Sequence, residues 1–562
     1  MDLKRIIILI PIAILAYLMV MQWNKDYHQP NDSQQNSTVA QQQANKAAST
    51  GNGPQVPGSD NQSSANGDAT QGSLDNASNG SGASSLIDVN TNVLQLHINP
   101  EGGDIVYAAL PKQTKSLDSK APFVLLDNSK SLDYIARSGI QLGGKSDQLH
   151  FSADQTDYTL SPDQKQLVVN LHTSVNGIQV TKRFTLTRGS YAVRVDYLLN
   201  NQSNAPINAQ FVGELARDQS PDPTESHGMG AHSYLGAAFS TPDSRYQKVS
   251  FDDIRDHDFH NMTANGGWVS IIQQYFVSAW VPNAKQSNLY YGRVDNASRT
   301  VAGFAGPQQQ IAAGSTGTLG ATLYVGPKYR DQLLATAPNL QLTIDYGWLW
   351  FLSTPLFWLL SKIHSLIGNW GWSIILLTCV VKLILLPLSA KGYKSMAKMR
   401  KMGPEIQRIR ETYGDDRQKV SQEMMKFYQK EKINPIGGCL PMVIQMPVFI
   451  ALYWMLRESV ELRHAPFMLW IHDLSTIDPY FILPIIMGAS MFLQQQLNPT
   501  PPDPTQAKVM KMLPIIFTIF FMWFPAGLVL YWITNNVLSM AQQYFITKQI
   551  EKGDARKAVK KA

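Results

Sequence analysis

A polytopic α-helical membrane protein that carries a large antiparallel β-sandwich outside the membrane is the fold class this 562-residue sequence predicts. Three observations lead there. The mean hydropathy of −0.16 averages two unlike parts, a polar, alternating first half and a last third made of long apolar runs. Alternation of period two dominates residues 86–340, and apolar runs of membrane-spanning length follow residue 345. The charge of +6 matters through its placement: residues 391–432 hold twelve Lys/Arg against six Asp/Glu, and residues 548–562 hold six against two.

The first element, residues 1–27, is an uncleaved transmembrane anchor. Lys4 and Arg5 precede an apolar run from Ile6 to Met21, no small-residue cleavage site follows, and Trp23 suits the membrane interface. Residues 28–85 are rich in Gln, Asn, Ser and Gly and cannot bury a core, so they read as a flexible linker reaching about 40 Å.

Residues 86–340 form the β-sandwich domain. In VLQLHI, Leu94, Leu96 and Ile98 share one face. In residues 177–199, Ile178, Val180, Phe184 and Leu186 alternate with polar residues up to an Arg188-Gly189-Ser190 turn. Tyr191, Val193, Val195 and Tyr197 alternate beyond it, which predicts a hairpin. Residues 139–146, GIQLGGKS, match a phosphate-binding-loop pattern, but the polar stretch that follows has no helical character and the segment lies in the exported domain. We give it no nucleotide role. The only cysteines, Cys379 and Cys439, lie in apolar runs and offer no disulfide framework.

The helical part is counted by charge. Apolar runs cover 346–367, 371–389, 436–456, 479–497, 509–523 and 528–546. The basic loop and basic tail both belong in the cytoplasm. A span at 346–367 would put that loop outside, and the run contains Pro355, Lys362 and His364; residues 341–368 therefore read as an amphipathic helix on the outer surface. Residues 524–527, FPAG, supply a tight turn between the last two spans. Six spans result, with both termini cytoplasmic and five spans in a core of residues 369–547. Within that core, residues 391–435 read as a helical hairpin closed by Gly414, with Asp415 and Asp416 as cap candidates and Asn434-Pro435 ending it. Met396, Met399, Met402, Met424 and Met425 fit an adaptable apolar surface on it, against the plainer reading of a solvated charged hairpin.

Lys382 is the one charge in the apolar run 371–389. A mid-bilayer charge costs about 2.5–3.5 kcal/mol and faces a bundle interior or aqueous cavity by default. The competing reading is snorkelling toward Lys391, roughly 13 Å away along the helix. Thr378 and Ser389 lie on the same stripe. Trp532, Asn535, Ser539 and Gln542 recur at helical spacing in the last span, with Asn536 and Gln543 alongside, and Gln445, Gln494 and Gln495 add further amides. These amides serve equally well as interhelical hydrogen bonds or as the lining of a hydrated groove. No Asp or Glu lies inside the five C-terminal spans, so Lys382 lacks a resident counter-charge and an acidic visitor is the natural inference. A transporter would need intramembrane carboxylates, which are missing. A carbohydrate-active outer domain would need carboxylates converging in a pocket, which sequence leaves open.

The segments GNWGWSIILLTCVVKLILLPL, YKSMAKMRKMGPEIQRIRE, GDDRQKVSQEMMKFYQKEKINPIGGCLPMVIQMPVF and FPAGLVLYWITNNVLSMAQQ resemble the YidC/Oxa/Alb family of membrane protein insertases over about residues 340–548. The tethered β-domain after a first span resembles that family's Gram-negative form, which implies a periplasmic supersandwich similar to sugar-mutarotase folds. The resemblance implies a protein of the bacterial inner membrane that is not an enzyme and needs no cofactor or metal. It would insert and help fold nascent membrane proteins, alone or with the Sec translocon, without nucleotide hydrolysis. Its groove would hold Lys382 where the family usually has arginine, keeping the charge and losing the planar fork. Thr378, Gln495, Tyr531, Trp532 and Asn535 join Lys382 as groove positions, and Met446 and Phe449 match positions of an apolar substrate slide. The span 509–523, only about 22 Å long, would thin the bilayer locally. The tail KQIEKGDARKAVKKA and the cytoplasmic loops would meet the ribosome or anionic lipid without nucleic-acid sequence specificity; a topology signal alone explains the tail equally well.

Overall fold

The computed structural model describes residues 85–144, 149–225, 233–257, 259–414, 416–431, 440–497 and 504–559. The N-terminal anchor, nearly all of the linker, Asp415, Asn434-Pro435 and Cys439 lie outside them.

From Ile87 to Pro327 every named element is a strand except one short helix, Phe251–Asp256. Among the described residues these strands form an 11-stranded and a 9-stranded sheet. Period-two patterning builds them. Strands Ile178–Thr187 and Ala192–Asn201 pair antiparallel, with Leu186 opposite Val193 and Phe184 opposite Val195. The turn between them uses Gly189 at φ +76°, a conformation a Cβ would disfavour. Leu94, Leu96, Ile98, Val180, Phe184, Val193 and Val195 are all buried.

Lys182 departs from the pattern by pointing inward with its neighbours, and it is fully buried. Its ammonium donates to the carbonyls of Gly102 at 3.0 Å and Ser138 at 2.8 Å. Burial pushes it down to about 7, against the pull of nearby Asp104. A second buried set joins Arg137 to Glu214 at 2.9 Å and to Asp295 at 3.5 Å, with Arg299 on Asp295 at 2.9 Å. Burial works to raise the Glu214 carboxyl, but Arg293, Arg137 and the Tyr291 hydroxyl hold it at about 2.

Gly139–Leu142 of the phosphate-loop pattern belong to strand Leu132–Leu142. Lys145 and Ser146 lie outside the described residues. The next named elements are the strands Ser152–Ala153 and Asp157–Thr159, so no helix N-terminus follows where a phosphate loop needs one.

Ten helices are described: α1 (Phe251–Asp256), α2 (Arg330–Thr336), α3 (Trp350–Ile367), α4 (Trp370–Lys401), α5 (Gly403–Tyr413), α6 (Arg417–Lys430), α7 (Leu440–Glu458), α8 (Ile482–Gln496), α9 (Pro504–Phe521) and α10 (Ala526–Val559). Helix α3 ends at Gly368 in the left-handed region, and Asn369 caps α4 by accepting from Trp372 N. Among the described residues α4 is the one helix long and apolar enough to cross a membrane by length and composition. The apolar outer faces of α4 (Leu383, Ile384), α8 (Ile485, Phe492, Leu493) and α9 (Ile515, Ile516, Ile519) are exposed, a surface that lipid would cover.

Three sequence expectations change. The span expected over 371–389 is part of a longer helix: α4 has 32 residues in all, continues past Pro387 to Lys401 and carries the start of the basic loop. Helix α9 has 18 residues, about 27 Å, so the short helix is instead α8, whose 15 residues span about 22 Å. Most of the hairpin methionines turn inward: Met396 and Met424 are buried, and Met399 and Met402 pack on Ile406, Val420 and Met424. The two hairpin helices need a core of their own, and unbranched methionine fills it; of the five, Met425 is exposed.

Candidate functional site

The site is built where α10 packs along α4. Lys382, on α4, is buried with 7% of its surface exposed, and its Nζ donates to Ser539 Oγ of α10 at 2.8 Å. It therefore turns into the bundle and does not snorkel. Its resident partner is a neutral hydroxyl, so the ammonium is hydrogen-bonded within the bundle, while among the described residues it forms no salt bridge. Ser539 Oγ in turn donates to the Asn535 carbonyl at 2.7 Å, leaving its lone pairs for the ammonium.

Helical rotation divides the amides of α10 into two sets. Asn536 Nδ2 donates to Ser490 Oγ of α8 at 2.9 Å, and Gln543 Nε2 donates to the Leu497 carbonyl at 3.1 Å. These two zip α10 to α8. Asn535, Ser539 and Gln542 lie on the Lys382 side; among the described residues the buried oxygens Asn535 Oδ1 and Gln542 Oε1 have no hydrogen-bond partner. Such orphaned acceptors are costly within a fold and mark a surface prepared for donors.

The remaining expected positions fall around this centre. Thr378 is buried and spends its proton on the Ile374 carbonyl at 2.7 Å. Tyr531 is buried, and its hydroxyl accepts from Gln445 Nε2 of α7, so both side chains fasten helices together. Trp532 stands edge-on to Phe449 with ring centroids 4.6 Å apart, and 5.0 Å from Phe521 of α9. One groove position and one slide position are thus in direct contact. The buried Trp532 Nε1 also lacks a partner among the described residues. Met446 on α7 and Gln495 on α8 are half-buried. Ser539 was legible only as part of a helical stripe; its bond to Lys382 needed the helix packing.

A second junction joins the β-domain to the far end of α7. Lys328 Nζ meets Glu458 Oε2 at 3.1 Å, with both side chains almost fully buried. Ser233 donates to Glu458 Oε1 at 2.8 Å, and Gln274 Nε2 to the Arg457 carbonyl at 3.3 Å. Beyond α7, Arg463 donates to the Thr114 carbonyl at 2.8 Å and lies over the stacked rings of Phe123 and Phe276. Nothing in the sequence pattern signalled this clamp.

Among the described residues no group of three His, Cys, Asp or Glu side chains could hold a metal ion. The buried carboxylates Glu214 and Asp295 of the β-domain are bound by arginines and do not converge as a free acid pair.

A β-rich domain followed by a helical region with exposed apolar outer faces and a buried lysine among polar inner faces has the make-up of a membrane protein that carries a large folded domain. Comparison with known proteins specifies it. Residues 86–359 match the YidC periplasmic domain, and residues 362–553 match the 60Kd inner membrane protein family. A membrane protein insertase YidC of Stutzerimonas stutzeri is 51% identical, covering 98% of this chain and 99% of its own. One from Pseudomonas fluorescens is 50% identical, covering 99% of this chain and all of its own. A crystal structure titled as an active YidC insertase aligns over 82% of this chain and 93% of its own at 18% identity and a TM-score of 0.38. The chain belongs to the YidC membrane protein insertase family. It is an inner-membrane protein with a periplasmic β-rich domain and a helical C-terminal region.

Proposed function

We propose that this chain inserts nascent membrane proteins by receiving their polar segments beside Lys382, between α4 and α10. The observation that carries the reading is a buried ammonium that, among the described residues, is held by a neutral hydroxyl alone and flanked by amide oxygens without a partner. A carboxylate or carbonyl entering there finds the cation, and a peptide N–H finds the free acceptors, which lowers the cost of polar burial. Lys382, Thr378, Gln495, Tyr531, Trp532 and Asn535 line the groove in this reading, with Tyr531 also bracing α7 through Gln445. The apolar helix of the substrate leaves along Met446 and Phe449, where α7, α9 and the Trp532 ring meet.

Six spans, with both termini cytoplasmic, follow from the placement of the basic loop and tail. The β-domain takes the supersandwich form of the family, α3 lies on the outer membrane surface, and the basic tail and α5–α6 hairpin face the ribosome. Cooperation with the Sec translocon and chaperoning of folding belong to the same proposal. No nucleotide is consumed: the membrane potential, worth about 2.3 kcal/mol per charge per 100 mV, favours outward transfer of acidic segments.

Photocrosslinkers placed at Thr378 and Trp532, and at exposed Leu383 as the lipid-facing control, test the reading on ribosome-bound nascent chains. Adducts are expected from the first two with the polar segment. Adducts from Leu383 alone would overturn it.

A further inference from the structure

Lysine has four rotatable carbons and a strongly hydrated head, so a buried lysine needs something to fix its depth. Lys382 has one protein acceptor among the described residues, Ser539 Oγ. That oxygen is unusually well prepared for a cation. Its own proton is committed to the Asn535 carbonyl one turn back. Ser539 is itself buried, 3% exposed, so water does not compete for the position.

The flanking residues give the contact a direction. Asn535 and Gln542 stand about 6 Å and 4.5 Å from Ser539 along the α10 axis, on the same face. Their buried side-chain oxygens are unpaired. A primary ammonium carries three N–H groups, one of them used by Ser539, so it can meet a substrate oxygen without leaving its anchor. A single hydroxyl suits this point-like donor; a planar guanidinium would need a paired acceptor.

We infer that Ser539 is the positioning residue for Lys382, holding the ammonium at a set depth against α10 so that it meets acidic substrate segments inside the membrane. The inference rests on the groove reading above and adds the residue that sets where the charge stands. Removing the hydroxyl frees the side chain to extend toward the cytoplasmic water, so the charge remains in the protein and leaves its working depth.

The test uses the full-length protein in a strain depleted of its own insertase. Insertion is read by protease protection of two substrates that differ only in their exported segment, one acidic and one with Asp and Glu changed to Asn and Gln. Ser539→Ala is expected to slow the acidic substrate about tenfold, the scale of a lost hydrogen bond to a charged group, and to leave the neutral one near wild type. Ser539→Thr, which keeps the hydroxyl, is expected to restore the acidic substrate. In a Lys382→Ala background, Ser539→Ala is expected to add nothing. Immunoblotted membrane levels of each variant separate misfolding from lost function, and Ser539→Thr carries the comparison if Ser539→Ala is degraded. Equal slowing of both substrates, or additive losses with Lys382→Ala, would overturn the positioning role. Normal insertion by Lys382→Ala itself would instead overturn the groove reading, so the two failures are distinct.

Discussion

Lys328 of the β-domain and Glu458 at the end of α7 form an ion pair at 3.1 Å that is almost entirely shielded from solvent. Glu458 also accepts from Ser233, and Lys328 also donates to the Thr343 carbonyl, so neither charge relies on the other alone. Helix α7 carries Gln445, Met446 and Phe449 further along its length. The outer domain and the proposed substrate path therefore share one helix.

Breaking that pair from one side leaves a buried charge. Lys328→Met is expected to destabilise the detergent-solubilised protein by about 3–5 kcal/mol, whereas Lys328→Met with Glu458→Leu recovers most of the loss. Thermal unfolding of the two variants decides it; equal losses in the single and double variants would show that the carboxylate is not the source of the cost.

Glu461 lies just beyond α7, near Tyr324, Tyr329 and Tyr346. Burial pushes its carboxyl up to about 7, with Asp331 adding to the rise. The native form thus holds a proton between its unfolded value of 4.5 and about 7, where the unfolded chain has lost it. Stability from this group is present below pH 4.5, falls as pH rises through that window and is gone above 7. Glu461→Gln is expected to raise the unfolding temperature relative to wild type more at pH 8 than at pH 5. A difference independent of pH would rule the carboxyl out as the source.

Gly488 of α8 lies against Thr518 of α9, and a Cβ added there would collide with the Thr518 hydroxyl. That oxygen is held to the Pro514 carbonyl at 2.7 Å, so it cannot swing away freely. Gly488→Ala is expected to cost about 1–3 kcal/mol through overpacking, and Thr518→Ala is expected to restore it. Unfolding of the single and double variants, followed by helical circular dichroism, measures both effects.

Lys382→Ala is expected to impair substrates with charged exported segments by at least about tenfold, while purely apolar hairpins insert normally. Lys382→Glu is expected to be worse for acidic segments, because it adds repulsion to the loss. Complementation of a depletion strain with both substrate types reads this out; normal insertion of acidic segments by Lys382→Glu would sink the role of the charge.

Strand alternation was legible because each inward residue is apolar on its own account: Val180, Phe184, Val193 and Val195 need no partner to belong inside. Lys182 was not, since its inward place depends on Asp104, on the carbonyl of Gly102 in the turn before it and on the carbonyl of Ser138 in another strand. Lys382 stood out as one charge in an apolar run. Which amides would face it was hidden, because Asn535 and Asn536 are one residue and about 100° apart on the same helix, and packing alone sets the rotation. Charges at element ends, such as Lys328 and Glu458, read as solvated in any sequence; their pairing arises only from how the two regions meet.

The bond between Lys382 and Ser539 closes a separation of 157 residues. During synthesis, therefore, α4 exists for most of that interval with its ammonium unaccompanied, and the hydroxyl that settles it arrives with the last helix. A chain cut short before α10 lacks the hydroxyl that Lys382 meets, so the contact that places this charge can form only after nearly the whole protein has been made.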